Sequence, residues 1–216
     1  MIAPMPLDTF LFDLDGTLVD SVADLATAVN LLRAELDLEP ISQKTVGHFV
    51  GDGARMLVRR ALPENLHHDR HLERFLFFYR AHLLDQTRLY PGIQEFLDAR
   101  PPSRMAVVTN KPYLLTVELL KGLNLLSRFG AIIGGDSCPV KKPDPLPVQT
   151  ALRQLGAHPR RAVMIGDHHT DLSAGQAAGL ATCFCTWGMG NDGGVPSNFR
   201  AYSPADLSRI FPEVAP

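Results

Sequence analysis

Four aspartates and two other polar residues stand where this chain can do chemistry. Asp13 and Asp15 follow the apolar run Thr9–Phe12, and Asp167 and Asp171 follow Ala162–Ile165. Thr109 follows Met105–Val108, and Lys142 lies beyond Ala131–Ile133. Each residue alone reads as a solvated loop, and Asp171 as a helix cap; their shared position after apolar runs argues for a site. Clustered carboxylates raise one another's pKa unless a cation sits among them. Oxygen donors without Cys or His select Mg²⁺ rather than Zn²⁺, and Mg²⁺ with few protein ligands binds substrate phosphate. One carboxylate can attack phosphorus to give an aspartyl phosphate. A second can protonate the leaving alcohol and later deprotonate water. Thr109 and Lys142 would neutralise and orient the phosphoryl oxygens.

The elements that must position these residues are short. The four runs, with Ala181–Phe184, are continuous and mostly β-branched or aromatic, as parallel strands covered on both faces are. Helical patterns over Tyr113–Leu126, Leu146–Leu155 and Leu172–Ala178 lie between the later ones, with Gly130, Gly156 and Gly179 as stops. This alternation predicts a doubly wound α/β fold, in which ligands bind outside the carboxyl ends of the strands. About 90 residues separate the first two strands, far more than one crossover helix needs. Leu25, Val29, Leu32 and Leu36, then Phe75, Phe78, Tyr79 and Leu83, repeat at helical spacing there. A small helical domain inserted after the first strand is the simplest account, with Gly51-Asp52-Gly53 as a turn inside it.

Phe12-Asp13-Leu14-Asp15-Gly16-Thr17-Leu18-Val19-Asp20-Ser21 resembles the first motif of the haloacid dehalogenase superfamily. Thr109-Asn110-Lys111-Pro112 resembles the second, Lys142-Pro143 the third, and Gly166-Asp167 with Asp171 the fourth. The resemblance covers nearly the whole chain and implies a Rossmann-like core at 1–18 and 86–216 with a helical cap at 19–85. It implies Asp13 as nucleophile and Asp15 as general acid/base. Thr109, Asn110 and Lys142 would bind phosphate. Mg²⁺ would be held by Asp13, the backbone carbonyl of Asp15 and Asp167, with Asp171 in support.

Within the superfamily the chain is similar to phosphoglycolate phosphatases. The likeness lies in Val50–Leu62, Leu89-Tyr90-Pro91-Gly92 and Gly134-Gly135-Asp136, besides the motifs. It implies hydrolysis of 2-phosphoglycolate by a monomer or homodimer. Alternatives are a hydrolase acting on a sugar phosphate, such as an amino-sugar 6-phosphate, or on pyrophosphate, and a phosphosugar mutase. A catalytically dead binding module is opposed by the intact Asp13, Asp15, Lys142 and Asp167. A phosphonate hydrolase, which needs a cap lysine, finds only Lys44 there. His168 departs from the family, which usually has Ser after Gly-Asp; that Ser supports the metal loop. In the cap, Asp52 and Arg55 are the candidates for touching the leaving group on closure. Arg59-Arg60 is an equal match for a substrate carboxylate and for a solvated helix face.

Composition agrees with an enzyme of this size. The chain has 216 residues, a formal net charge of −2, 45% hydrophobic and 20% charged residues, so it is globular and gives nucleic acid or anionic membrane no basic surface to hold. No apolar run approaches a membrane span, and Met1–Asp8 lacks the features of a signal peptide, which predicts a cytoplasmic protein. Cys138, Cys183 and Cys185 fit neither a disulfide framework nor a zinc site; Cys183 and Cys185 would share one strand face as buried thiols. His67, His68 and His71 read as an exposed polar helix face. Trp187-Gly188-Met189-Gly190 either borders the site or packs as an ordinary loop.

Overall fold

Strand β1 (Thr9–Phe12) is buried on both faces and therefore sits in the middle of a sheet. The computed structural model describes residues 6–212; Met1–Met5, which hold most of the stretch read as lacking a signal, lie outside them. After β1 come β2 (Val19–Asp20), α1 (Val22–Glu35), α2 (Gln43–Gly47), α3 (Ala54–Ala61), α4 (Asp69–Ala81) and β3 (Arg88–Leu89). The chain continues through α5 (Ile93–Asp98), β4 (Met105–Val108), α6 (Tyr113–Gly122), β5 (Ala131–Ile133), α7 (Leu146–Leu155) and β6 (Ala162–Gly166). It ends with α8 (His169–Ala177), β7 (Ala181–Cys185), β8 (Phe199–Ala201) and α9 (Ala205–Ile210).

Six strands form one sheet in the order β5-β4-β1-β6-β7-β8, and every pairing is parallel. The order reverses around β1, which places the carboxyl ends of β1, β4 and β6 side by side at the switch point. Side chains alternate across the sheet. Phe10 and Phe12 enter one buried cluster with Phe96 and Phe129, while Leu11 enters the other with Val148, Leu152 and Met164. The expected α/β fold is therefore present.

The insert is four helices, α1 to α4. Leu25, Val29 and Leu32 of α1 are buried with Phe75 and Tyr79 of α4, whose rings stack at 5.8 Å. The chain enters and leaves the insert through one antiparallel ladder, Val19 opposite Leu89 and Asp20 opposite Arg88. Asp24, fully buried, fastens α1 to the return strand by accepting the backbone N–H of Gln86 and Thr87 and the Thr87 hydroxyl.

Some local readings change. Helix α6 stops at Gly122 rather than Leu126; Asn124, at φ +58°, ends that stretch. Gly130 stops no helix but leads straight into β5. Helix α8 begins three residues earlier than Leu172, because His168 caps it. Strand β8 and α9 were not foreseen, since Phe199–Ala201 is too short to show a period. His71 is buried, not on an exposed face: its Nδ1 lies 2.6 Å from the Leu66 carbonyl and its Nε2 accepts from Arg70. Cys183 and Cys185 are buried free thiols on β7.

Candidate active site

Asp13 continues β1, its N–H donating to the Ile165 carbonyl at 2.9 Å. Thr109 continues β4 in the same way, toward the Ile133 carbonyl. Backbone pairing thus delivers both side chains to the rim. Asp167 follows β6, and Asp171 is the third residue of α8. The carboxylates of Asp13, Asp167 and Asp171 are buried and lie within 4.8 Å of one another.

Close backbone approach makes the cluster possible. A Cβ on Gly16, which sits at φ +88°, would fall 2.2 Å from the Asp167 carboxylate; on Gly166 it would fall 2.2 Å from that of Asp171. Asp167 accepts the backbone N–H of Met189 and Gly190 on one oxygen and the Thr17 hydroxyl on the other. The loop from Trp187 to Gly190 therefore borders the site, and Trp187 donates its indole N–H to the Thr17 carbonyl.

Lys142 is the cation of the cluster. Its ammonium donates to Asp13 at 2.8 Å, to Asp171 at 2.6 Å and to the Val108 carbonyl at 2.6 Å, which uses all three protons. Its charge, rather than a spare N–H, therefore faces an approaching anion. The two carboxylates hold its pKa up against burial. Burial pushes Asp13 up to about 6 despite Lys142, and Asp167 up to about 8, with the charge of Asp171 adding to both and that of Asp13 adding to Asp167.

Asp15 sits apart from this cluster, on the cavity wall. Lys111 donates to both its oxygens at 2.9 and 3.0 Å, and Ser21 donates at 2.6 Å. Lys111 also reaches the Tyr79 hydroxyl of α4 at 2.5 Å. Lys111 and Tyr79 were not singled out by sequence. Lys111 lies inside the second motif, but nothing in the spacing pairs it with a tyrosine 32 residues away.

The cavity between sheet and insert has a free volume of about 490 Å³ including its mouth. Asp13, Asp15, Thr109 and Lys111 form its sheet side; Val50, Leu57, Phe75, Leu76 and Tyr79 form most of the insert side. Asn110 also lines it, but its side-chain amide is spent on the backbone of Lys142 and on the Gly51 carbonyl. Neither Asp52 nor Arg55 is on the wall: Asp52 pairs with Arg60 at 2.5 Å, and Arg55 pairs with Asp69 on the exposed surface. Arg59 is likewise away from the cavity.

Counted by charge, Asp13, Asp15, Asp167 and Asp171 face two ammonium groups, those of Lys111 and Lys142. The deficit equals one divalent cation. The donors are all oxygen, so the residues fit an oxygen-preferring divalent ion.

A site of acids at the carboxyl ends of a parallel sheet, under a helical insert, defines a class of hydrolase. Residues 10–185 match the model of the haloacid dehalogenase-like hydrolases, and the chain belongs to that family. Within it, the chain is phosphoglycolate phosphatase-like. It is 37% identical to the phosphoglycolate phosphatase of Chromobacterium violaceum over 205 residues, covering 91% of this chain and 92% of the relative. It is 40% identical to the phosphoglycolate phosphatase of Neisseria meningitidis serogroup A over 191 residues, 83% and 80% of the two chains. The crystal structure of a predicted phosphoglycolate phosphatase from Haemophilus somnus superposes with a TM-score of 0.85 at 30% identity, covering 94% of this chain and 97% of the other.

Proposed function

We propose that the protein hydrolyses a small phosphate monoester, 2-phosphoglycolate, through an aspartyl phosphate on Asp13, with residues 19–85 acting as a cap. The observation that carries this reading is the Asp13 carboxylate. It is buried at the rim, has one oxygen fixed by Lys142, and faces the cavity that Asp15 also borders. The other Asp13 oxygen attacks phosphorus, and the bond to the ester oxygen breaks. Asp15 hands a proton to that oxygen, then takes one from the water that cleaves the aspartyl phosphate, which releases phosphate and restores Asp13. Thr109 accepts the Lys111 backbone N–H at 3.2 Å and keeps its O–H to donate to a phosphoryl oxygen. Asp171 holds Lys142 in place. Mg²⁺ on Asp13, the Asp15 carbonyl and Asp167 would neutralise charge on the phosphoryl group.

The leaving group supports glycolate. Among the described residues, Lys111 is the one cation on the cavity wall, and the rest of the far end is largely apolar. A substrate carboxylate meeting Lys111 competes with Asp15 for that charge and so frees Asp15 for proton transfer. A sugar finds few polar partners there.

The test is a panel of phosphate esters ranked by kcat/KM with Mg²⁺, because specificity is a ratio of those values. Phosphoglycolate is expected first, and trapping with labelled substrate should place phosphate on residue 13. A sugar phosphate ranked first would overturn the substrate; wild-type phosphoenzyme formation by Asp13→Asn would overturn the mechanism.

A further inference from the structure

We propose a second cation site, distinct from the aspartate cluster, in which His168, His169 and Asp52 bind a borderline transition ion such as Zn²⁺ across the seam between insert and sheet. One ligand atom from each of the three lies within 4.8 Å of the others. The histidines precede and open α8, and Asp52 is the centre of the turn between α2 and α3. The ligands therefore come from both sides of the seam.

The site is built rather than accidental. His168 is only 7% exposed. Its ring is wedged between two glycines: a Cβ on Gly51 would lie 2.7 Å from it, and one on Gly190 2.9 Å. The Nδ1 of His168 lies 3.0 Å from the Thr170 hydroxyl. Without an ion, Nδ1 accepts the Thr170 N–H at 3.4 Å as the helix cap. In the ion-bound form the ring proton moves to Nδ1 and is donated to the Thr170 hydroxyl in place of that bond, which leaves the Nε2 lone pair for the metal, the usual outer-shell arrangement of a ligating histidine. The His169 ring stands beside it at 4.1 Å between centroids, and its backbone is tied to the Asn191 carbonyl at 2.8 Å. Arg60 holds one Asp52 oxygen and leaves the other for the ion.

Two imidazoles and a carboxylate suit Zn²⁺ or Co²⁺, with water as a fourth ligand. They do not suit Mg²⁺, which prefers oxygen throughout. The two sites therefore sort cations by ligand chemistry. The ion can be held by all three ligands only while the insert is seated, so its binding shifts the population toward that state by its differential affinity. It acts as a clasp that slows opening and touches neither Asp13 nor Asp15.

The test titrates Co²⁺ into the full chain in excess Mg²⁺, reading visible ligand-field bands and amide exchange at Gly51–Ala54. One equivalent with tetrahedral nitrogen–oxygen bands is expected, and exchange at those amides should slow. His169→Ala and Asp52→Asn should each weaken Co²⁺ binding at least about tenfold, the low end of what loss of even an outer-shell partner costs. His168→Ser should do the same while keeping the helix cap, since serine caps well. Asp13→Asn should leave the bands intact. The proposal is overturned by the absence of a saturable signal, by bands that persist in both Asp52→Asn and His169→Ala, by sulfur-to-cobalt charge transfer, or by unprotected cap-loop amides in the Co²⁺ form.

Discussion

Asp13 and Asp15 have the same side chain two positions apart, yet their surroundings differ, as the different work proposed for them requires. Asp13 is bound to a lysine inside an acidic cluster; Asp15, whose side chain is equally buried, lies outside that cluster between Lys111 and the Ser21 hydroxyl. A proton donor matters most when the departing oxygen is a poor leaving group. Asp15→Asn should therefore lower kcat about 10²–10⁴-fold on an alkyl phosphate. The loss should be much smaller on an aryl phosphate whose phenol needs no proton. Equal losses on both, measured in single-turnover bursts, would remove Asp15 from that role. The raised pKa values of Asp13 and Asp167 also bear on stability. Burial lifts them from 3.8 to about 6 and about 8, so between these limits the folded chain holds protons that the unfolded chain has released. Stability then falls as pH rises through that window. Without a divalent ion, the thermal midpoint should drop between pH 6 and pH 8. Mg²⁺ should raise it more at pH 8, where the carboxylates are charged. Calorimetry that finds the larger Mg²⁺ effect at pH 6 would contradict this.

The turn from β1 to β2 shows what an element contributes beyond its side chains. Gly16 is there because the backbone passes against Asp167, with no room for a methyl and at a φ of +88°. Gly16→Ala should fold less stably, and the Mg²⁺ needed for half-maximal activity should rise at least tenfold. An unchanged Mg²⁺ requirement would mean that the Asp167 carboxylate can shift without loss. The acids at the strand ends were legible because an apolar run announces a buried strand, and the residues just after it must emerge at the rim. Lys142, well beyond the end of β5, was legible from the Lys142-Pro143 motif instead. The contacts across the molecule were not. Lys111 meets Tyr79 because the insert folds back onto the sheet, and Asp24 meets Thr87 because the chain returns beside α1; no local period encodes either. Helix α8 was started late because His168 does a capping job that serine or aspartate usually signals; its ring accepts the Thr170 N–H while Asp171 returns the bond to the His168 N–H. The cap candidates Asp52 and Arg55 were chosen for charge beside a turn, but partners within the insert, Arg60 and Asp69, claim both.

At the scale of the molecule, the insert and the sheet meet through a short list of polar contacts. Tyr79 reaches Lys111, and the Gly51 carbonyl accepts the Asn110 amide at 2.9 Å. The first contact lies one bond from Asp15, so seating the insert also orders the acid. Tyr79→Phe removes the hydroxyl while keeping the ring stack on Phe75. It should lower kcat/KM for phosphoglycolate roughly ten- to hundredfold, in line with about 1.5–3 kcal/mol for a hydrogen bond to a charged group. Hydrolysis of a small aryl phosphate should fall less. An equal fall on both substrates would place the effect on the fold rather than on closure.

The ladder of β2 and β3 has a further consequence. Because Val19 faces Leu89, the chain leaves and rejoins the sheet domain at neighbouring points, and the Tyr90 N–H closes the gap by donating to the Leu18 carbonyl at 3.1 Å. For the six-stranded half, the intervening segment is topologically a single long hairpin loop. Such a loop can be exchanged for one of unrelated sequence and size, provided its two ends arrive as adjacent antiparallel strands. The acids at the rim and Lys111 are thereby written in stretches of chain separable from those that supply the apolar half of the cavity wall. A swap between residues 20 and 88 with a relative's segment should shift the ranking among leaving groups that differ in bulk and polarity, keep the preference for a carboxylate that Lys111 would meet, and leave the requirement for Asp13 untouched.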